Sequence, residues 1–312
     1  MSRDLVALAA QRRALLDGIF VETPRTNQAH QKFHYLMEHA AVTPACKLAV
    51  LLIAPSQSGK SKLIESFAST LNTPELLAAR KIPVLHVTLH AEVTRKGLAQ
   101  DILLALQALD VETGPMKGSE QEMWERVYRY LAYAGVRLLV LDEIHHLKYS
   151  NIERMARSVG ECIKHALLKG PCPVVLSGIE AAELPFQANE QLQQRSIPAI
   201  QLAPFLATNP SDLDLFIEFM VEYIVRIEEL GVAKHATNLI QGDIPACILE
   251  VSGGVLGAAC RLIKEAVHVM TLAGRSEIRR EDLVKATDEA FIRGNLEKPN
   301  PFVVGLTPLR AA

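Results

Sequence analysis

Short, almost wholly apolar runs alternate with amphipathic stretches along the first two-thirds of the chain. Lys47 to Ile53 (KLAVLLI) is nearly all apolar and partly β-branched, as expected of a strand covered on both faces. A Gly59-Lys60-Ser61 turn follows, and the segment from there to Leu71 reads helical. Val84 to Leu89, entered through Pro83, is a second short strand. Leu98, Ile102, Leu106 and Leu109 share one helical face over Arg95 to Leu109, as do Met123, Val127, Tyr130 and Ala134 over Gln121 to Ala134. Thr113 to Ser119 between them reads as loop. Arg137 to Asp142 (RLLVLD) predicts a third buried strand, and Asn151 to Lys169 a helix stopped at Gly170-Pro171. Val174 to Ser177 predicts a fourth strand and Ile197 to Leu202 a fifth. This alternation predicts an α/β core, a parallel five-stranded sheet flanked by helices.

Beyond Pro204 the strand signals stop. Helices are expected over about Ser211 to Leu230, Ile244 to Val251, Leu256 to Leu272 and Arg280 to Ile292, with Asp243 as an N-cap and Pro245 in a first turn. The tail from Glu297 is proline-rich and aperiodic, and is expected to be extended and open to a partner. The chain therefore divides into an N-terminal helical segment (1–45), an α/β core (46–204), a small all-α lid (205–295) and the tail (296–312).

Composition narrows the function classes. With 312 residues, 49% hydrophobic and 22% charged, the chain is an ordinary globular protein of one large domain and a smaller one. A net charge of -2 excludes a broadly basic nucleic-acid coat and leaves room only for local basic contacts. The 5% aromatic share argues against base stacking as the main activity. Five scattered cysteines without CxxC spacing suggest neither a disulfide framework nor a zinc site and fit a reducing cytosol. No apolar run reaches the ~18 residues of a membrane span, and no signal peptide is expected at Met1.

The chemistry concentrates in a few strand ends. Ala54-Pro-Ser-Gln-Ser-Gly-Lys-Ser61 matches G-x-x-x-x-G-K-[ST] at every fixed position but the first, where alanine replaces glycine. Here backbone N–H groups curl around phosphate, Gly59 permits the close approach, Lys60 reaches β/γ oxygens and Ser61 holds Mg²⁺ at a helix N-terminus. The nucleotide-contacting set is therefore Ala54, Pro55, Ser56, Gln57, Ser58, Gly59, Lys60, Ser61 and Lys62. The competing reading is a chance GKS in a strand-turn-helix. Against it, Leu138 to Asp142 ends a hydrophobic strand in two carboxylates, Asp142 and Glu143, which demand a reason there. In a Walker B element Asp142 would bind Mg²⁺ through water and Glu143 would polarise the attacking water. Ser177, on a strand expected between the first and third, either orients that water or caps the strand end. Arg195 either reaches a neighbour's γ-phosphate or is a surface arginine. Arg261 either lies over the nucleotide or belongs to a helix start facing the core. The adjacent His145 and His146 cannot face one side, which makes a metal pair there an unfavoured reading.

In this order, Walker A, Walker B, Ser177, Arg195 and a helical lid, the chain resembles an AAA+ ATPase, and in particular the TniB/TnsC family of transposition regulators. Glu22-Thr-Pro-Arg25, Thr94-Arg-Lys-Gly-Leu98, Leu141-Asp-Glu-Ile-His-His-Leu147, Gln191-Leu-Gln-Gln-Arg195 and Asn300-Pro-Phe302 extend the similarity over most of the chain. Ala54 and Ser196 depart from the usual pattern, and neither departure removes a catalytic group. The resemblance implies an ATP- and Mg²⁺-dependent homo-oligomer, ring or helical filament, in the bacterial cytosol. It implies as partners double-stranded DNA, a DDE transposase and a target-selection protein of TniQ type. Thr94, Arg95, Lys96, Lys148 and Arg154 are then nominated as backbone-phosphate contacts, against the alternative of solvated polar loops. Two other readings share the nucleotide site. An Orc-type or helicase-loading ATPase is expected to add a winged-helix DNA reader, for which the residues after Ile292 are too few. A nucleotide-gated scaffold would never touch DNA.

Overall fold

The computed structural model describes residues 3–90, 94–144, 152–292 and 299–306, with only the backbone described for residues 152–158 and 292. Its five strands are β1 (Ala49–Ile53), β2 (Val84–Thr88), β3 (Leu138–Asp142), β4 (Val174–Gly178) and β5 (Ile200–Gln201), all parallel, in the order β2-β3-β4-β1-β5. Every residue of β3 and β4 is buried, which is why these segments read as continuous apolar runs and not as alternation. The expected fifth strand shortens to two residues, paired with Leu52 and Ile53 of β1. Proline at 198 withholds a ladder donor from the segment before it.

By its contacts the chain divides into two compact units. The sheet unit runs from Pro24 to Ser56 and from Lys60 to Leu202. Besides the strands it holds α2 (Pro24–Val42), α3 (Lys60–Leu71), α4 (Pro74–Ala78), α5 (Arg95–Gln107), α6 (Glu120–Tyr133), α7 (Ile152–Lys169), α8 (Leu184–Gln187) and α9 (Glu190–Gln193). Thr94 caps α5 by accepting a hydrogen bond from Gly97 N, and Ser119 with Glu122 forms a capping box on α6. Both helices start where these caps satisfy orphan N–H groups. The α6 core face is Met123, Val127 and Leu131, whereas Tyr130, expected on it, is only partly buried. Together these faces and the strands close one hydrophobic cluster that includes the buried Leu85, Leu103, Leu139, Ile163 and Leu176.

The helical unit comprises the N-terminal residues to Thr23, the tripeptide Gln57–Gly59 and everything from Ala203 onward. The expected 1–45 segment is thus split: α1 (Arg3–Gly18) falls in this unit and α2 in the other. Arg13 Nη1 donates to Glu265 Oε1 at 2.7 Å, Lys264 Nζ to Asp17 Oδ1 at 2.7 Å and Arg12 Nη1 to Thr271 Oγ1 at 2.8 Å, fastening α1 along α12 (Leu256–Leu272). With α10 (Pro210–Glu229), α11 (Ile244–Ser252) and α13 (Arg280–Thr287), these helices close a second core around Phe216, Met220, Tyr223, Leu262 and Leu283. A π turn, Asp288–Ile292, follows α13 where one longer helix was expected. Among the described residues no single helix is long and apolar enough to cross a membrane.

Two expectations are corrected in this unit. Asp243 occupies the N-cap position of α11, but its side chain makes no cap bond. Instead it accepts a two-pronged hydrogen bond from Arg280, Nη1 to Oδ1 at 2.6 Å and Nη2 to Oδ2 at 2.8 Å. The tail is not extended at its start: Asn300 caps a single helical turn, α14 (Pro301–Val304), with Pro301 and Phe302 buried. Arg280 also donates through Nε to the Phe302 carbonyl at 2.9 Å and lies over the Phe302 ring.

Phe302→Ala should cost about 3 kcal/mol, read as the shift in urea unfolding of the full chain. Bonding to Arg280 holds Asp243 down at about 2, from its ordinary value near 4. Its folded form is the better ionised, so its stabilisation is present at neutral pH and is lost as pH falls from near 4 towards 2. Asp243→Asn should flatten that part of the stability-versus-pH curve, by a small amount because the pair is exposed.

Candidate nucleotide-binding site

β1 is extended by one backbone hydrogen bond, from Ala54 N to Gly178 O at 3.1 Å, and then the chain turns. The loop residues with left-handed backbone are Gln57 (φ 62°) and Gly59 (φ 90°). Ala54 is buried and is not among the positive-φ residues, so the position that lacks the expected glycine makes no demand for one. No atom would meet a Cβ at Gly59 within 4 Å; its conformation, not crowding, favours glycine there. α3 begins at Lys60, which turns the N–H groups of its first turn toward the loop.

Lys60 is only 5% exposed, and its ammonium donates to the carbonyls of Ala54 and Pro55, both at 3.1 Å. Burial lowers its pKa, while the nearby Glu143 and Asp142 pull in the other direction. A cation folded back onto main-chain carbonyls is a donor in waiting for a stronger acceptor such as a phosphate oxygen. Ser61 Oγ donates to Asp142 Oδ2 at 2.9 Å, which joins the start of α3 to the end of β3. Asp142 Oδ1 accepts from Glu143 N at 2.9 Å. Glu143 itself has φ 63°, a left-handed conformation uncommon for a non-glycine residue and often found at functional sites. Burial pushes the Asp142 pKa up, but hydrogen bonds from His86 and Ser61 and the nearby Ser177 hydroxyl outweigh it and hold the carboxylate ionised well below its usual range.

Ser177 lies on β4, between β3 and β1, paired with Leu52. Its hydroxyl is buried and has no hydrogen-bond partner among the described residues, and the same is true of the Ser58 hydroxyl in the loop. Such orphaned groups are costly unless something else satisfies them. With the Lys60 ammonium, the loop N–H groups and the Ser61–Asp142 pair, they form a donor set suited to a polyphosphate and a hard cation. These groups meet outside the carboxyl ends of the strands, where open α/β sheets bind ligands.

Other expected site residues are placed elsewhere. Lys62 is exposed on α3 and pairs with Glu65 at 3.1 Å, so its side chain points into a surface ion pair. The Arg195 carbonyl accepts from Ala49 N at 2.8 Å, at the opposite end of β1 from the loop. Four strand steps, about 13 Å, therefore separate Arg195 from the phosphate loop of its own chain. Its Nη1 is buried and has no partner among the described residues. In the helical unit, Arg261 Nη1 reaches Gln57 Oε1 at 3.4 Å and its guanidinium lies over the Phe291 ring. Pro55 is half-buried, and Ser56 and Gln57 are exposed. Thr94 uses its hydroxyl as a helix cap, Arg95 lies 4.0 Å from Glu120, and Lys96 is exposed. Lys148 lies outside the described residues, as do His145, His146 and the Arg154 side chain.

Two participants were not anticipated. His86 on β2 reaches Asp142 Oδ2 with Nε2 at 3.3 Å. The signal available was a histidine in the interior of the short strand VLHVT, flanked by valines and a leucine. The second is Gly257: a Cβ there would lie 2.0 Å from the Gln57 carbonyl oxygen. The Gly253-Gly-Val-Leu-Gly257 spacing hints at such an approach without naming its target.

A family model described as bacterial TniB protein matches residues 13–204, more than half of the chain. Among solved structures, the chain is similar to Cdc6p of Pyrobaculum aerophilum, at 15% identity and a TM-score of 0.62, covering 92% of this chain and 74% of that one. It is similar to the ORC2 protein of Aeropyrum pernix in its ADPNP-ADP complexes, at 13% identity and 0.63, covering 88% and 70%. It is likewise similar to the ORC1 protein of the same organism in complex with DNA, at 18% and 0.58, covering 89% and 69%. No curated protein sequence matches. The five-stranded parallel sheet with its phosphate loop and C-terminal helices is the fold of the AAA+ P-loop ATPases.

Gly257→Ala must displace the Gln57 backbone to fit its methyl group. Affinity for an ATP analogue should fall at least several-fold, while Gly274→Ala, strained in backbone but open in space, should bind like the parent. Titration with a fluorescent analogue measures both.

Proposed function

The chain belongs to the TniB family, and from that premise we propose that it is an ATP- and magnesium-dependent AAA+ ATPase that assembles on double-stranded DNA and regulates transposition. The observation that carries this reading is the Ser61–Asp142 hydrogen bond at 2.9 Å, with the buried Lys60 ammonium near enough to Asp142 and Glu143 to sense both acids. It joins the phosphate-binding motif to the acidic strand end, which neither motif does alone.

Bound MgATP would supply the phosphoanhydride and the electrophilic phosphorus. Lys60 and the loop N–H groups bind the phosphates; Ser61 and Asp142 hold the cation. Glu143 orients a water molecule and takes its proton. Ser177, buried on β4 and near enough to help keep Asp142 ionised, steadies that water. Arg261 is a further proposed nucleotide contact, and Lys62 stays at the surface as a modest electrostatic contributor. Arg195, at the far end of β1 from its own loop, serves a neighbouring copy, as an arginine finger supplied in trans does. That role requires a homo-oligomer, ring or filament.

Thr94, Arg95 and Lys96 at the start of α5, with Lys148 and Arg154, are the proposed contacts to the DNA backbone. Such contacts position without reading sequence, so binding should be weakly sequence-dependent and should weaken steeply with salt. The links to a DDE transposase and to a target-selection protein of TniQ type follow from the family resemblance. A cytosolic, DNA-associated location belongs to the same proposal.

Glu143→Gln should keep ATP binding and reduce turnover on the order of 100-fold, whereas Lys60→Ala should lose nucleotide binding; hydrolysis of ATP by Glu143→Gln at the parent rate would remove Glu143 from the role. Electron microscopy with random-sequence duplex DNA tests the assembly. Rings or filaments with a slowly hydrolysed ATP analogue but not with ADP are expected. Particles indifferent to DNA and nucleotide would favour a scaffold that works through protein contacts alone.

A further inference from the structure

β2 and β3 pair in parallel with His86 beside Val140 and Thr88 beside Asp142. Side chains two apart on a strand share a face, and partners across a ladder project to the same side. His86 therefore points to the face that carries Asp142, two residues earlier along the neighbouring strand. Its Nε2 lies 3.3 Å from Asp142 Oδ2. Because Asp142 is ionised it can only accept, so Nε2 carries the proton of this bond.

Three donors thus hold one carboxylate. Glu143 N anchors Oδ1, while Ser61 Oγ and His86 Nε2 share Oδ2. Ser61 belongs to the loop-helix junction at the start of α3. Glu143 N belongs to a left-handed residue that ends the strand. His86 is the donor fixed in the sheet ladder, its ring only 20% exposed. It would keep the plane of the Asp142 carboxylate set independently of Ser61, which would hold the cation.

We propose that His86 is a positioning residue that orients Asp142 toward the magnesium ion and so sets the affinity of the site for that cation. The inference rests on the MgATP reading of the site given above. Hydrogen-bond partners of metal-facing carboxylates contribute in this way, and their removal typically weakens metal binding on the order of 10-fold or more. His86 acts through Asp142, which makes it a positioning residue and not a catalytic one. Its loss should appear in the magnesium requirement before it appears in nucleotide affinity.

The test titrates Mg²⁺ into the full chain with a fluorescent, slowly hydrolysed ATP analogue, and repeats the binding in EDTA. His86→Leu should raise the half-saturating Mg²⁺ concentration on the order of 10-fold, with binding in EDTA unchanged. His86→Gln, whose amide nitrogen can take the place of Nε2, should restore most of the loss. Should His86→Leu fail to give the parent circular-dichroism melt, His86→Met replaces it in the same comparison with His86→Gln. A parent-like Mg²⁺ titration for the apolar variant overturns the inference, as does a glutamine variant as weak as the apolar one. In both cases nucleotide binding by the parent and its loss in Lys60→Ala leave the ATPase reading standing. A parent that binds no nucleotide overturns both.

Discussion

Asp142 is an ionised carboxylate, 1% exposed, at the end of a strand whose other four residues are apolar. Taking such a charge out of water is tolerated only where hydrogen bonds and opposite charge replace its hydration. The surrounding architecture supplies that replacement. Ser61 arrives from the turn after β1, His86 from β2, and Glu143 bends its backbone into a left-handed conformation that brings its N–H to Oδ1. The Lys60 ammonium stands close enough for its own pKa to respond to both acids. Separate pieces of chain are thus tied to one buried group.

The strand order explains how those pieces meet. With β4 between β3 and β1, and β2 outside β3, the carboxyl ends of the three long central strands and one edge strand share a rim. A parallel sheet places every such end on the same side. The loop that leaves β1 and the acidic end of β3 therefore converge on one place, although Lys60 and Asp142 are far apart in sequence. The opposite end of β1 carries Arg195, bound through its carbonyl to Ala49. Polarity of the sheet, and nothing local to Arg195, keeps it from its own chain's phosphate loop.

The helical unit is organised by a different economy. Its interior is an apolar cluster, and its polar bonds lie at the margins, joining distant segments: α1 to α12, and α13 to the cap of α11 and to the turn at Pro301–Val304. Arg280 alone serves Asp243, the Phe302 carbonyl and the Phe302 ring. A tail that looks structureless by composition is therefore partly ordered, because Phe302 buries its ring and Asn300 caps the turn. Proline and the absence of period report on local preference, and burial against a distant residue overrides them.

What the amino-acid sequence determined by itself is what depends on near neighbours along the chain. Continuous apolar runs specified fully buried parallel strands, since burial of both faces leaves no polar alternation. The GKS turn between strand and helix specified the phosphate loop, and two acids closing LLVLD specified its partner strand, because those spacings are local. Only the tertiary structure decided which long-range group answers each local one. It placed His86 on Asp142, Gly257 against the Gln57 carbonyl, Arg280 on Asp243 in place of a helix cap, and α1 with the C-terminal helices. Hydrogen-bond geometry and close packing are settled across strand registers and helix crossings, and a single chain read in order carries no record of those distances.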